Sequence, residues 1–309
     1  MIRIFWLACG AIAVAVVAAS ARGADGAPRG RIAFVRFSVA VGHPRIYSLT
    51  LPKQRARRLP LPGAATAAPA FSADGRRLAF VVGRNRAGSR EISGNVDLYV
   101  AAADGGRARR LTRSPGHIGS PAWSPDGREL AVVKSAARGG GSSIWIIGAA
   151  DGAARRLTHG SIDLEPSWAP DGRSIAFVRV DPKTYQGGIW LVRPNGSGLH
   201  RILTRVHAVA EPVWSPDGSR LLVHDGHALY SVRPDGGGRR TLVRLHVDPM
   251  GAVEDPAPSW SPDGNWVVFC QLRARPPEGS DLWIVRGDGT GLRRITVSTG
   301  VDTDPAWAR

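Results

Sequence analysis

An aromatic residue followed by a Ser-Pro-Asp-Gly turn recurs along the 309 residues at nearly constant spacing. The copies are Phe71-Ser-Ala-Asp74-Gly75, Trp123-Ser-Pro125-Asp126-Gly127, Trp168-Ala-Pro170-Asp171-Gly172, Trp214-Ser-Pro216-Asp217-Gly218 and Trp260-Ser-Pro262-Asp263-Gly264. A truncated copy, Asp304-Pro305-Ala306-Trp307, closes the chain. The aromatics stand 52, 45, 46, 46 and 47 residues apart. Self-similarity at such a period marks a propeller or solenoid, because one unit cannot bury its own apolar face and must stack on its neighbours.

Within one unit, four short β-rich runs alternate with turn signals. The first ends in the aromatic, and Ser-Pro-Asp-Gly suits a type I turn because Pro presets the second position and Gly favours the fourth. A second run such as Ser174–Val178 leads into a variable loop. The third run centres on Tyr47, Tyr99, Trp145, Trp190, Tyr230 or Trp283 and ends at an Asp-Gly or Asn-Gly turn in five of its six copies. The fourth is Arg-Arg-Leu-Thr-like, with the pairs Arg57-Arg58, Arg109-Arg110, Arg155-Arg156, Arg239-Arg240 and Arg293-Arg294 at one repeat position. Four strands of this kind make an antiparallel blade, and no sustained 3.6-residue apolar stripe predicts a helix.

The first unit, from Arg31, lacks its opening strand, and the closing residues Asp304–Arg309 supply one. The expectation is an all-β, six-bladed β-propeller over 31–309, closed by the C-terminal strand completing the first blade. These repeats resemble the TolB-type (WD40-like, PD40) β-propeller repeats over roughly residues 31–309. The resemblance implies a six-bladed ring acting as an extracytoplasmic, usually non-catalytic interaction module.

Residues 1–21 read as a secretory signal peptide, with Arg3, an apolar run from Ile4 and the small residues Ala19-Ser20-Ala21; residues 22–30 read as a short linker. An uncleaved anchor is the alternative, and only that would tie the chain to a membrane. Removing the leader leaves one cysteine, Cys270, so no intramolecular disulfide is available. The net charge of +16 is nearly all arginine. Its spread over outer-strand positions, with no aromatic-interleaved basic stretch, argues for edge protection and against nucleic-acid binding.

Irregular loops gather at one end of the blades, where binding on a rigid scaffold normally resides. Counting back from each inner aromatic, the third position is Ala68, Ser120, Glu165, Glu211, Ala257 and Asp304, and the fifth includes Asp163, Asp255 and Asp302. The innermost strand lies beside the axis, so Asp163, Glu165, Glu211, Asp255, Asp302 and Asp304 are expected to crowd the channel mouth. They suit a cation or a basic peptide, or else they fasten their own loops. Loop histidines on the same face, His207, His224, His227 and His246, are candidate transition-metal ligands. No Gly-x-Ser-x-Gly elbow or phosphate loop is present. The reading is a monomeric, periplasmic or secreted scaffold for an envelope or extracellular protein or peptide, with no cofactor beyond a candidate divalent cation. The alternative is a metal-dependent lyase or hydrolase at the same face.

Overall fold

The protein is described here by a computed structural model covering residues 27–38, 42–84, 93–113, 116–135, 141–159, 162–206, 211–245, 256–273 and 279–309. Six four-stranded antiparallel sheets account for all the strands of these residues, and no helix occurs among them. Each sheet is a blade in chain order: blade two, for instance, runs Ala65–Phe71, Arg77–Arg84, Ser93–Ala102 and Arg109–Arg110 from inside to outside. Blade one is the exception. Its inner strand is Val301–Ala308, antiparallel to Gly30–Phe37, with Arg31 opposite Ala308 and Phe37 opposite Val301. The closure expected from the repeats is present, with a clasp reaching further back than Asp304. The leader and most of the linker lie outside the described residues.

Alternation along the strands explains the core. Each blade sends one face to either neighbour, and the buried apolar residues accordingly fall into six clusters, one per blade–blade interface. Ala33, Val35 and Ile46 of blade one meet Leu78, Phe80 and Ala101 of blade two. Ile32, Phe34 and Trp307 on the other face meet Trp266, Val268 and Cys270 of blade six. Cys270 is thus a buried apolar filler.

The repeated turns close on themselves. In the turn after Trp123, the Gly127 N–H donates to the Ser124 carbonyl (2.9 Å), and Gly127 takes φ +67°, which only glycine adopts freely. The Ser124 hydroxyl donates to Asp126 Oδ1 at 2.7 Å, and the same oxygen accepts the Arg128 N–H at 3.0 Å. Asp74, Asp217 and Asp263 repeat the arrangement with Ser72, Ser215 and Ser261. Asp126 is therefore held below the ordinary carboxylate range, mainly by the serine hydroxyl and then by the backbone donor.

The outer strands of blades one, two, three and six are exposed, and outer-strand arginines strap blades together. Arg109 donates to the Ala149 carbonyl (2.7 Å), Arg155 to that of Pro194 (2.7 Å) and Arg240 to that of Asp288 (3.1 Å), each on the next blade. The motif's threonine caps the third strand: Thr112, Thr158 and Thr296 accept the N–H groups of Leu98, Ile144 and Leu282. One expectation is corrected. Register places Arg240, opposite Ser231, where Arg109 stands opposite Val100, so Arg239-Arg240 is one residue out of step with the other pairs. His200 and Arg201 take the two positions in blade four.

Candidate functional site: an acid-lined central cavity

The inner strand of each blade carries a proline two residues before its aromatic: Pro69, Pro121, Pro166, Pro212, Pro258 and Pro305. Proline has no N–H to donate, so it belongs on an edge strand or at a bulge. Both conditions are met. The pairing register slips between Ala67 and Ala70, between Gly119 and Ala122, and between Leu164 and Ser167. The residue before each proline takes positive φ in all six blades: Ala68 (49°), Ser120 (47°), Glu165 (49°), Glu211 (37°), Ala257 (41°) and Asp304 (48°). Such backbone is uncommon outside glycine, and its sixfold repetition makes it a property of the repeat.

These bulged residues and their prolines line a cavity of about 670 Å³ built from the inner strands of all six blades. Glu165, Glu211 and Asp304 are its carboxylates and His117 its imidazole, and no arginine or lysine lines it among the described residues. Ser120 Oγ donates to Glu165 Oε1 at 2.9 Å, linking bulge positions of adjacent blades. Partial desolvation at the cavity wall pushes the His117 imidazole below its ordinary value, although the side chain stays open to solvent. The wall itself is tied blade to blade. Trp123 Nε1 donates to the Ala70 carbonyl (3.0 Å) and Trp260 Nε1 to that of Val213 (3.3 Å).

A family model described as the TolB beta propeller domain matches residues 92–308. The chain belongs to the TolB β-propeller family. The Tol-Pal system protein TolB of Gluconobacter oxydans is 37% identical over 219 residues, covering 68% of this chain and 46% of that protein. The chain spans a quarter to a half of the curated TolB relatives it matches, from 25% to 49% of their length. Among solved structures, TolB from Acinetobacter baumannii superposes with a TM-score of 0.72 at 22% identity, over 90% of this chain and 66% of that one. An oligogalacturonate lyase in complex with manganese shares the fold at a TM-score of 0.53 and 15% identity, over 86% of this chain and 73% of that one.

In this TolB-type propeller the acids singled out from the sequence separate into two sets. Glu165, Glu211 and Asp304 line the cavity. Asp163 and Asp302 do not, which corrects the expectation that they crowd the channel mouth. Both are fully buried. Asp163 accepts Arg179 Nε and Nη2 at 2.6 and 2.9 Å, and Asp302 accepts Arg36 Nε and Nη2 at 2.6 and 2.7 Å. Each arginine lies over two aromatic rings of its blade, Arg179 over Phe177 (5.3 Å) and Trp190 (5.2 Å), Arg36 over Phe34 (5.2 Å) and Tyr47 (5.1 Å). Burial opposes the Arg36 charge, but the Asp302 hydrogen bonds and charge outweigh it and raise the guanidinium above its ordinary value. The physical reason for the split is the bulge. Simple alternation puts the third and fifth positions on one face, but the register slips just after the paired residue between them, so the third position sits in the bulge and leaves that face.

The histidines do not converge either. His224 ends the strand Leu221–His224 fully buried, not in a loop as its sequence suggested, and His227 is exposed on the turn that follows. Asp225 organises that turn by accepting the N–H groups of His227 (3.0 Å) and Ala228 (2.9 Å) and the Arg239 guanidinium (2.5 Å). Asp255, His207 and His246 lie outside the described residues. Among those described, no group of three His, Cys, Asp or Glu residues is placed to hold a metal ion. The sequence places His117 on this face but does not single it out as a candidate ligand, although it stands six residues before Trp123, next to the counted positions. Sequence reasoning also missed Arg36 and Arg179, whose signal is an arginine two residues after the phenylalanine of a second strand.

Proposed function

We propose that this chain is an extracytoplasmic, non-catalytic binding scaffold. It takes an extended segment of an envelope protein partner, carrying a basic side chain, into the mouth of the acid-lined cavity. The observation that carries the reading is charge segregation. In a protein of net charge +16, the cavity presents Glu165, Glu211 and Asp304 with no arginine or lysine among its described lining residues. Low-dielectric walls lined by one sign of charge focus the potential on an incoming cation. Relatives named for the Tol-Pal system support a partner of the envelope kind, and the Met1–Ala21 leader pattern supports export.

The test is titration of the full chain with a lysine-containing peptide and its norleucine counterpart, followed by calorimetry. The lysine peptide is expected to bind the chain and to lose affinity in Glu165→Gln/Glu211→Gln. Equal binding of both peptides, or binding unchanged in the double variant, overturns the reading. A melt in EDTA against Ca²⁺, Mn²⁺ or Zn²⁺ separates the peptide from a divalent cation. An ion at a hundredfold excess over its Kd adds about 2.7 kcal/mol to the native state. A shift of that size lost in the same variant assigns the carboxylates to a metal.

A further inference from the structure

Blade one departs from blades two and six at a place where both hold a carboxylate, while blades three, four and five have Ser143, Gly188 and Ala228 there. Two residues before the third-strand aromatic, blade two has Asp97 and blade six has Asp281. Across the outer strand, Arg110 stands opposite Tyr99 and Arg294 opposite Trp283. Asp97 takes the Arg110 guanidinium at 2.5 Å and the Thr112 hydroxyl at 3.2 Å. Asp281 lies 3.4 Å from Arg294 Nη1 and 2.9 Å from Arg273 Nε. Blades two and six thus use an acid on the third strand to neutralise the second arginine of the outer strand, whereas blade three has Ser143 at that position and its Arg156 relies on the Thr158 carbonyl.

In blade one that acid is replaced by Arg45, while Arg58 keeps its place opposite Tyr47. Arg110 and Arg156 each donate Nε to the backbone carbonyl two residues on, Thr112 or Thr158, at 2.8 Å. In blade one that residue is Pro60, which keeps a carbonyl but lacks the threonine hydroxyl. Its capping duty has passed to Thr66 of blade two, which accepts the Ile46 N–H at 3.1 Å. Among the described residues Arg58 has no hydrogen-bond or ion-pair partner. Arg45 donates Nη1 to the Gly63 carbonyl, and its Nε is buried with no partner. Arg36, directly across the strand pair from Arg45, is fully engaged by Asp302 and offers it no negative charge. Like charges so placed destabilise a sheet, and an unmet buried donor costs more than an exposed one. Burial, and then the Arg58 charge, push the Arg45 guanidinium below its ordinary value.

We propose that Arg45 and Arg58 form an oxyanion site on the outer part of blade one, filled by a carboxylate side chain of a partner polypeptide in the place where blades two and six hold Asp97 and Asp281. A carboxylate is the group that blades two and six use here, and the guanidinium fork matches its two oxygens. The outer strand Arg57–Arg58 is exposed, so the group enters from solvent. The site is independent of the cavity and survives if the cavity takes no peptide.

The probe is a fluorescein-labelled tetraglutamate amide, titrated by anisotropy into the full chain at about 0.15 M salt, where long-range attraction to the other arginines is largely screened. Binding is expected, and Arg58→Gln is expected to weaken it about tenfold or more. Arg45→Asp is expected to abolish it, because the new carboxylate occupies the site in cis. That variant is also expected to melt no lower than the parent. Arg109→Gln and Arg155→Gln, which remove exposed outer-strand arginines elsewhere, should leave binding intact. Should Arg45→Asp fold poorly, Arg58→Gln carries the test alone. Equal losses in Arg58→Gln and Arg109→Gln would reduce the site to diffuse rim charge and overturn it, as would a parent chain that binds no peptide. Displacement of the peptide by an equal concentration of inorganic phosphate would overturn the carboxylate assignment in favour of a phosphoryl group.

Discussion

Ala68 takes the same left-handed backbone as Glu165 and Asp304, although it brings no charge to the cavity. The strain at this position therefore belongs to the bulge and not to any chemistry of the acids. Ala68→Gly should relieve it and raise stability by about 0.5–1 kcal/mol in urea unfolding, since glycine adopts positive φ without a Cβ penalty. A loss of stability would mean that the Ala68 methyl packs usefully against the cavity wall. The turn aspartates act at the same scale. Asp74, Asp126 and Asp217 are each held below the ordinary carboxylate value, first by the neighbouring serine hydroxyl. A depressed carboxylate contributes stability that is complete above the unfolded value and is lost as pH falls through the folded one. The melting temperature should therefore hold down to about pH 5 and decline below pH 4. Ser124→Ala should lower the neutral-pH melt slightly and flatten the acid limb, as read from melts across pH 2–7.

At the scale of the element, the clasp decides whether six blades make one cooperative unit. Val301–Ala308 supplies the whole inner strand of blade one, and its Trp307 joins the interface with blade six. Removing residues 301–309 exposes the inner edge of Gly30–Phe37 and opens the ring at that interface. The expected outcome is loss of the single sharp calorimetric transition, with a broadened melt at lower temperature. A truncated chain that still melts sharply would show that five complete blades hold themselves together. The blades were legible because their determinants are local: a turn dipeptide, an aromatic at a fixed offset, and alternation along short strands. The fifth position was not legible in the same way. Asp163 and Asp302 share repeat parity with Glu165 and Asp304, and only the register slip and the arginine across the strand reveal that they are buried clamps.

Across the whole molecule, charge is sorted by radius. Acids line the cavity, while the outer strands of blades one, two, three and six consist of Arg57–Arg58, Arg109–Arg110, Ala154–Arg156 and Arg293–Arg294, all exposed. Mutual repulsion around such a rim weakens the compact state at low ionic strength, and salt screens it within a Debye length of about 10 Å at 0.1 M. The melting temperature should rise as NaCl goes from about 0.01 to 0.15 M, and a fall would mean that the ion pairs outweigh the repulsion. The sequence alone determined the ring of six blades, its closure by the chain's own end and the positions where acids accumulate, because each follows from spacing and from turn chemistry within a few residues. Only the tertiary structure decided which acids face the cavity and which are spent on Arg36 and Arg179. It also showed that Arg45 and Arg58 stand without the carboxylate that blades two and six hold there. Those outcomes depend on bulges and cross-strand register, and they bring together side chains as far apart in the chain as Arg36 and Asp302.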